Sequence, residues 1–330
     1  MKRFFLFLAL CIVFVQCRHS EIKLPIYNLT ENSSIDMIAD TILFTKIKCL
    51  TFQYNRLFFT NPVYDQIVSL DKNLRLDKLM GVQGRGPKNL LQISQFSIQD
   101  SLIYMLNSAN GRINIYSIEG TFVSEVSLSN DLLFVPRMRH CFFDNHIIGS
   151  SGVANAPLSK YNIYTQEQTL FGEPYKFDSP MQTQIRNSRF TGKAGNRLVA
   201  VSDNQPYIEI YDQESLDLVV RYDFSHIAQV QKVIQYNESR NLPDNSMAVL
   251  TGDIYTTNQH LYTLFYERID GEFFANQIIK FKISPEIKPV SIYKLPGEIY
   301  TTFCVSEEDN IVYAYCEDMN TIGAYQISRK

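Results

Sequence analysis

Not one tryptophan occurs among the 330 residues, and glycine (14) and proline (12) are both sparse. So little Gly and Pro excludes a collagen-like or low-complexity chain. The aromatic share of 13% falls to 20 tyrosines and 22 phenylalanines, a bias towards strands. Neither sign of charge dominates. Lys and Arg total 31 against 34 Asp and Glu, so no bulk attraction draws the chain to nucleic acid or anionic membranes. With 45% hydrophobic residues, 20% charged residues and a mean hydropathy of -0.13, the chain is neither disordered nor a multi-span membrane protein, and it can bury a full core.

Chemical signatures are equally scarce. There is no C-x-x-C, and the separations of Cys49, Cys141, Cys304 and Cys316 match no zinc or haem template. These cysteines read as small buried hydrophobes on strands, and neither a metal site nor a cofactor is expected. The sequence contains no H-E-x-x-H, G-x-S-x-G, Walker loop, EF-hand string or sialidase-type Asp box. His140, His146, His226 and His260 lie far apart without ligand spacing and read as structural.

The N-terminus is more informative. Lys2 and Arg3 precede an apolar run from Phe4 to Val15, which is shorter than the roughly 20 residues a membrane span needs. Residues 1–16 therefore read as a secretory signal. Cys17 follows directly, and Phe14-Val15-Gln16-Cys17 resembles the lipobox of bacterial lipoproteins, with Phe14 and Gln16 where Leu and a small residue are preferred. Leu8-Ala9-Leu10-Cys11 is the alternative, at the cost of a very short apolar region. The expectation is acylation of Cys17, a polar tether over residues 17–34, and anchorage in the bacterial cell envelope on a periplasmic or outer surface.

From residue 35 to 330 one unit recurs: a polar turn with Asn or Asp, an apolar strand, then a second alternating strand. The first strand is anchored at Leu57, Leu102, Ile147, Leu198, Leu261 and Ile311, spaced 45, 45, 51, 63 and 50 apart. The next begins at Ile67, Ile113, Tyr161, Ile208, Ile279 and Ile322. Six units of this length predict an all-β, six-bladed propeller in a single ring. Two stacked β-sandwiches would not explain why both series count to six. An N-terminal strand, expected at Ile42 to Ile47, closes the last blade and hides its edge. The long fourth interval holds Ile227, Val230, Val233 and Ile234 at helical offsets, predicting a short helix over about 226–240 that packs on the ring or covers a channel mouth.

The turn Gly81-Val82-Gln83-Gly84-Arg85-Gly86-Pro87 resembles one found in the six-bladed β-propeller lipoproteins of Bacteroidetes, including their TolB-like (NHL-like) branch. Asn61 to Leu70, Leu170-Phe171-Gly172 and Leu295-Pro296-Gly297 to Tyr313 are similar as well. Members carry an acidic residue and an aromatic soon after the proline, where Lys88-Asn89-Leu90 stands here. The resemblance implies an envelope lipoprotein and no particular chemistry.

Arg85, Arg137, Arg186 and Arg240 recur at offsets of 52, 49 and 54, close to the blade period, with Arg139 and Arg189 nearby. If they share register, four blades project a guanidinium towards one channel mouth, where an anion would be held by bidentate hydrogen bonds; solvated arginines, or partners of nearby acids, are the alternative. Loop tyrosines Tyr64, Tyr175, Tyr207 and Tyr236 are candidates for stacking on sugars, whereas Tyr104, Tyr116, Tyr211 and Tyr313 read as blade packing. The functional expectation is a monomeric binding or scaffolding lipoprotein for an envelope protein, a peptide or an anionic glycan. A polysaccharide hydrolase or lyase, marked by paired carboxylates at the mouth, is the alternative.

Overall fold

Leu57, Phe58 and Phe59 are all fully buried, yet they face two different neighbours. Leu57 and Phe59 pack with Cys304, Tyr313 and Ile322, whereas Phe58 packs with Ile93, Phe96 and Ile103. Side chains along a strand alternate between the sheet's faces, so a sheet covered on both sides needs apolar residues at consecutive positions. The same division recurs in Cys141-Phe142-Phe143. Phe142 joins Ile113 and Ile115 on one side; Cys141 and Phe143 join Leu198 and Ala200 on the other. Sheets that each bury both faces against two neighbours, with the last meeting the first, form a closed ring.

The structure, a computed structural model, describes residues 21–38, 42–240, 242–243, 245–269 and 272–327. Blade one is Lys48–Gln53, Arg56–Asn61, Gln66–Asp71 and Leu76–Met80. Blade two is Ile93–Gln99, Leu102–Asn107, Arg112–Ser117 and Phe122–Ser127. Blade three is Cys141–Phe143, His146–Val153, Ala156–Asn162 and Gln168–Phe171. Blade four is Arg189–Ala194, Arg197–Ser202, Tyr207–Asp212 and Leu218–Asp223. Blade five is Thr251–Thr256, His260–Ile269, Glu272–Lys282 and Lys288–Lys294. Blade six draws Tyr300–Ser306, Ile311–Cys316 and Thr321–Gln326 from the C-terminal end of the chain. Every pairing within these strands is antiparallel, and the first strand of each blade lines the channel. The anchors read from the sequence therefore mark the second and third strands of each blade.

Closure uses an N-terminal strand, but not Ile42 to Ile47. Thr30–Ile35 is the outer strand of blade six, pairing Thr30 with Gln326 and Ile35 with Ile322. Ile26–Asn28 adds a parallel strand to the edge of blade five. Ile42–Leu43 instead forms a small hairpin with Met37–Ile38, and Phe44 and Ile47 fill the core between blades six and one. Hydrophobicity could not identify the closing strand. Outermost strands keep their side chains largely in water and are held by backbone hydrogen bonds, so Thr-Glu-Asn-Ser-Ser reads as a tether while forming part of the ring. The signal segment and Cys17 lie outside the described residues.

Two helices occupy blade-to-blade connections. Helix α1 (Pro180–Ile185) starts at Ser179, whose hydroxyl accepts from the Gln182 amide, with proline in its first turn. Helix α2 (Ala228–Glu238) lies within the expected span. Its Ala228, Val230 and Val233 are buried, and the latter two join Phe224, Ile227, Leu250, Ile254 and Phe281 between blades four and five. The four described cysteines are free and buried on strands.

Candidate functional site

Each inner strand begins on the face that carries the connections between blades, here called the upper face, and ends on the lower face. Arg85, Arg137, Arg186 and Arg240 all lie in connections on the upper face. They do not converge on one point. Arg85 is exposed on its loop, Arg137 borders the channel, and Arg186 and Arg240 line one hollow beside α2.

The loop bearing Arg85 is built for shape. Gly81 has φ +90° and Gly84 φ +150°; a Cβ on Gly81 would clash with Leu90 Cδ1. The amide of Leu90 donates to the Val82 carbonyl at 2.8 Å, and that of Gly84 to the Leu90 carbonyl at 2.9 Å. Asn107 and Asn110 donate to the Asn89 carbonyl, and Tyr116 donates to that of Lys88. The Gly-rich motif thus stitches blade one to blade two, with Arg85 at its tip.

The hollow has a volume of about 960 Å³ and lies among α1, α2 and the Asn204-Gln205 turn of blade four. Arg186 sits 4.0 Å above the Phe177 ring and donates to Asn204 Oδ1 and Gln182 Oε1. Its pKa is lowered because burial outweighs the attraction of Asp203, so its charge is under-compensated. Arg240 stands at 5.9 Å from the Tyr236 ring. Tyr207 also lines this wall, with Asp178, Asp223 and Glu238 among the carboxylates. Helix α2 contributes Ile234, Asn237 and Glu238 here and no residue to either channel cavity, so it packs on the ring and leaves the channel uncovered.

Neither Arg139, in the loop before Cys141, nor Arg189 is a solvated cation. Arg189 is fully buried on the inner strand of blade four and donates to Glu209, which also accepts from Arg221, Tyr175 and Tyr211. Tyr175, expected as an exposed loop ring, is half-buried beneath Arg189 at 3.9 Å. Arg139 crosses the channel to Asp253 through two bonds of 2.8 Å. It donates as well to the Leu50 carbonyl and to Thr302 Oγ1, while the Thr302 hydroxyl donates to Asp253 at 2.7 Å. Burial alone would lower the pKa of Arg139, but Asp253 more than offsets this and raises it. The knot ties blades one, three, five and six and divides the channel into an upper cavity of about 290 Å³ and a lower one of about 710 Å³. The blade period does pass through Arg139 and Arg189, but its acid partners are undetectable in sequence; Asp253 lies 114 residues from Arg139.

Three solved structures similar in fold are distant in sequence. A member of the DUF4221 family from Bacteroides vulgatus is 13% identical with a TM-score of 0.59, over 92% of this chain and 98% of that one. A protein of Bacteroides fragilis described as exported is 13% identical with a TM-score of 0.55, over 93% and 100%. The Cps50 (Swd1) propeller domain of Myceliophteria thermophila is 9% identical with a TM-score of 0.50, over 91% and 100%. At such identities the likeness concerns the fold alone. A search of curated proteins returns no match. The family model DUF5128, described as a 6-bladed beta-propeller, matches residues 38–295, and with the ring now traced blade by blade, the chain belongs to that family.

Proposed function

We propose that this protein is an exported, non-enzymatic binding propeller, lipid-anchored through Cys17 in the bacterial cell envelope, that holds an anionic glycan or an acidic segment of a partner on its upper face. The observation that carries the reading is the pairing of Arg186 and Arg240 in one hollow, with Arg186 held on Phe177 by neutral amides and in no ion pair among the described residues. A guanidinium whose burial is not offset by a carboxylate gains most when an anion arrives. Rings at Phe177 and Tyr207 add apolar surface against which a sugar or side chain would rest. The Bacteroides relatives of the same shape, one of them described as exported, are consistent with the envelope. The resemblance of the Gly81–Pro87 turn to the six-bladed β-propeller lipoproteins of Bacteroidetes supports the anchor.

Binding of oligogalacturonate and of poly-glutamate, measured by calorimetry, tests the hollow. An Arg186→Ala/Arg240→Ala variant is expected to lose about tenfold in affinity or more for the probe that binds, equivalent to roughly 1.4 kcal/mol, whereas Arg85→Ala retains it. Equal affinity in all three proteins refutes the reading. Labelled palmitate incorporated by the wild type and not by Cys17→Ser tests the anchor.

A further inference from the structure

We infer that the upper channel cavity, separate from the hollow beside α2, is a binding site for one small hydroxylated carboxylate of the sugar-acid class. The inference rests on the reading of the chain as a binding propeller but on a different set of residues. Its volume of about 290 Å³ is close to the lower end of ligand pockets, the size of a single sugar ring with its substituents. The knot of Arg139, Asp253 and Thr302 closes the floor, so a ligand enters from above and cannot thread through.

Charge specifies an anion. Lys46, Lys48 and Arg137 line the cavity, are exposed, and form no ion pair with a described residue. Of the two acids in the lining, Asp253 has both oxygens engaged: Oδ1 accepts from Arg139 and the Ile254 amide, Oδ2 from Arg139 and Thr302. Within the lining Glu317 alone remains to oppose three cations; Asp203, outside it, attracts Arg137.

Gln95 specifies the rest. It is 5% exposed and lines the cavity, its Nε2 donates to the Arg137 carbonyl at 3.3 Å, and that bond fixes which way the amide faces. Its Oε1 is buried without a donor, and the hydroxyl of Thr301, in the same lining, is buried without a partner. A buried acceptor left unpaired costs on the order of 1–3 kcal/mol, which a ligand hydroxyl recovers. Acetate brings charge without a hydroxyl donor, and a neutral sugar brings hydroxyls without charge. A hydroxylated carboxylate supplies both: its carboxylate meets the Lys48 and Arg137 cations, and its hydroxyls meet Gln95 and Thr301 once these two side chains turn their buried polar atoms towards the cavity.

Calorimetry on the full-length protein in detergent, with D-glucuronate, acetate, inorganic phosphate and D-glucose as probes, tests the assignment. Glucuronate is expected to bind at least about tenfold more tightly than the other three. Gln95→Met should lower that affinity about tenfold, with acetate binding unchanged, and Lys48→Gln/Arg137→Gln should weaken both acids. Thr301→Val provides the same readout if Gln95→Met fails to fold. A free acid and a chain end share this chemistry. A tri-uronate binding no better than the monosaccharide assigns the free acid, and tenfold tighter binding assigns the end of a polymer. The inference is overturned if glucuronate binds no better than acetate or phosphate, or if Gln95→Met and Thr301→Val leave it unchanged. It is overturned equally if binding is lost in Arg186→Ala/Arg240→Ala instead, a result that would leave the hollow's role standing.

Discussion

Arg139 and Asp253 face each other across the channel, 114 residues apart in the chain, and exchange two hydrogen bonds of 2.8 Å. The pair is buried and ties blade three to blade five, with Thr302 of blade six and the Leu50 carbonyl of blade one completing the contacts. Breaking such a pair leaves a charge uncompensated in the interior. Arg139→Met is expected to cost about 3 kcal/mol, and Arg139→Met/Asp253→Leu to recover most of that loss, since removing both charges also removes their desolvation penalty. Urea unfolding of the three proteins decides; equal stability of wild type and Arg139→Met would show that the knot contributes nothing.

Acid sensitivity follows from two buried groups of opposite effect. The pKa of His140 is down at about 3, because burial disfavours the imidazolium and Arg139 repels it. Asp203 is pushed up to about 6 by burial, against the attraction of Arg137. Below about pH 6.5 the unfolded chain binds a proton at residue 140 that the folded chain refuses, so stability falls as pH drops towards 3. Between about 6 and 3.8 the folded chain binds a proton at Asp203 that the unfolded chain does not, so this group gains stability on acidification. Going from pH 7 to 5, Asp203→Asn should lose about 1.4 kcal/mol more than wild type, and His140→Gln about 2 kcal/mol less. Identical pH dependence in urea unfolding of all three would refute both assignments.

The Gly81–Pro87 turn separates shape from charge. Gly81→Ala drives a methyl into Leu90 Cδ1 at φ +90°, and should cost about 1–3 kcal/mol. Arg85→Ala, at the exposed tip, should change stability by less than about 0.5 kcal/mol. Thermal melts of the two variants measure the difference.

The closing strand is held by its backbone. Asn32, Ser33 and Ser34 are exposed, and Ser33 and Ser34 pair with Ala324 and Gly323. Replacing all three by Ala should be nearly neutral, within about 0.5 kcal/mol per site. Ser33→Pro/Ser34→Pro should cost about 3 kcal/mol or more, because proline removes ladder donors and bares the edge of blade six. Unfolding and light scattering read the two effects; a proline variant as stable and monodisperse as wild type would show that the ring does not depend on this strand.

The ring was legible because a blade buried on both faces requires apolar residues at successive strand positions, and Leu57-Phe58-Phe59 or Ile147-Ile148 repeat that demand at blade intervals. The closing strand was not, because Thr30–Ile35 shows water its side chains and the ring its backbone. Arg186 and Arg240 were found by period, but their shared hollow depends on α1, too short to leave a periodic trace.

Sequence by itself determined the number of blades, the single ring, the place of α2, and the strand packing of Tyr116, Tyr211 and Tyr313. All of these follow from local periodicity and burial. Tertiary structure alone decided which arginines are charged surface and which are buried pairs, that the channel is divided by Arg139 and Asp253, and that Gln95 keeps a buried oxygen unpaired. Those depend on contacts between blades far apart in the chain, and closing a ring makes neighbours of residues that no local pattern links.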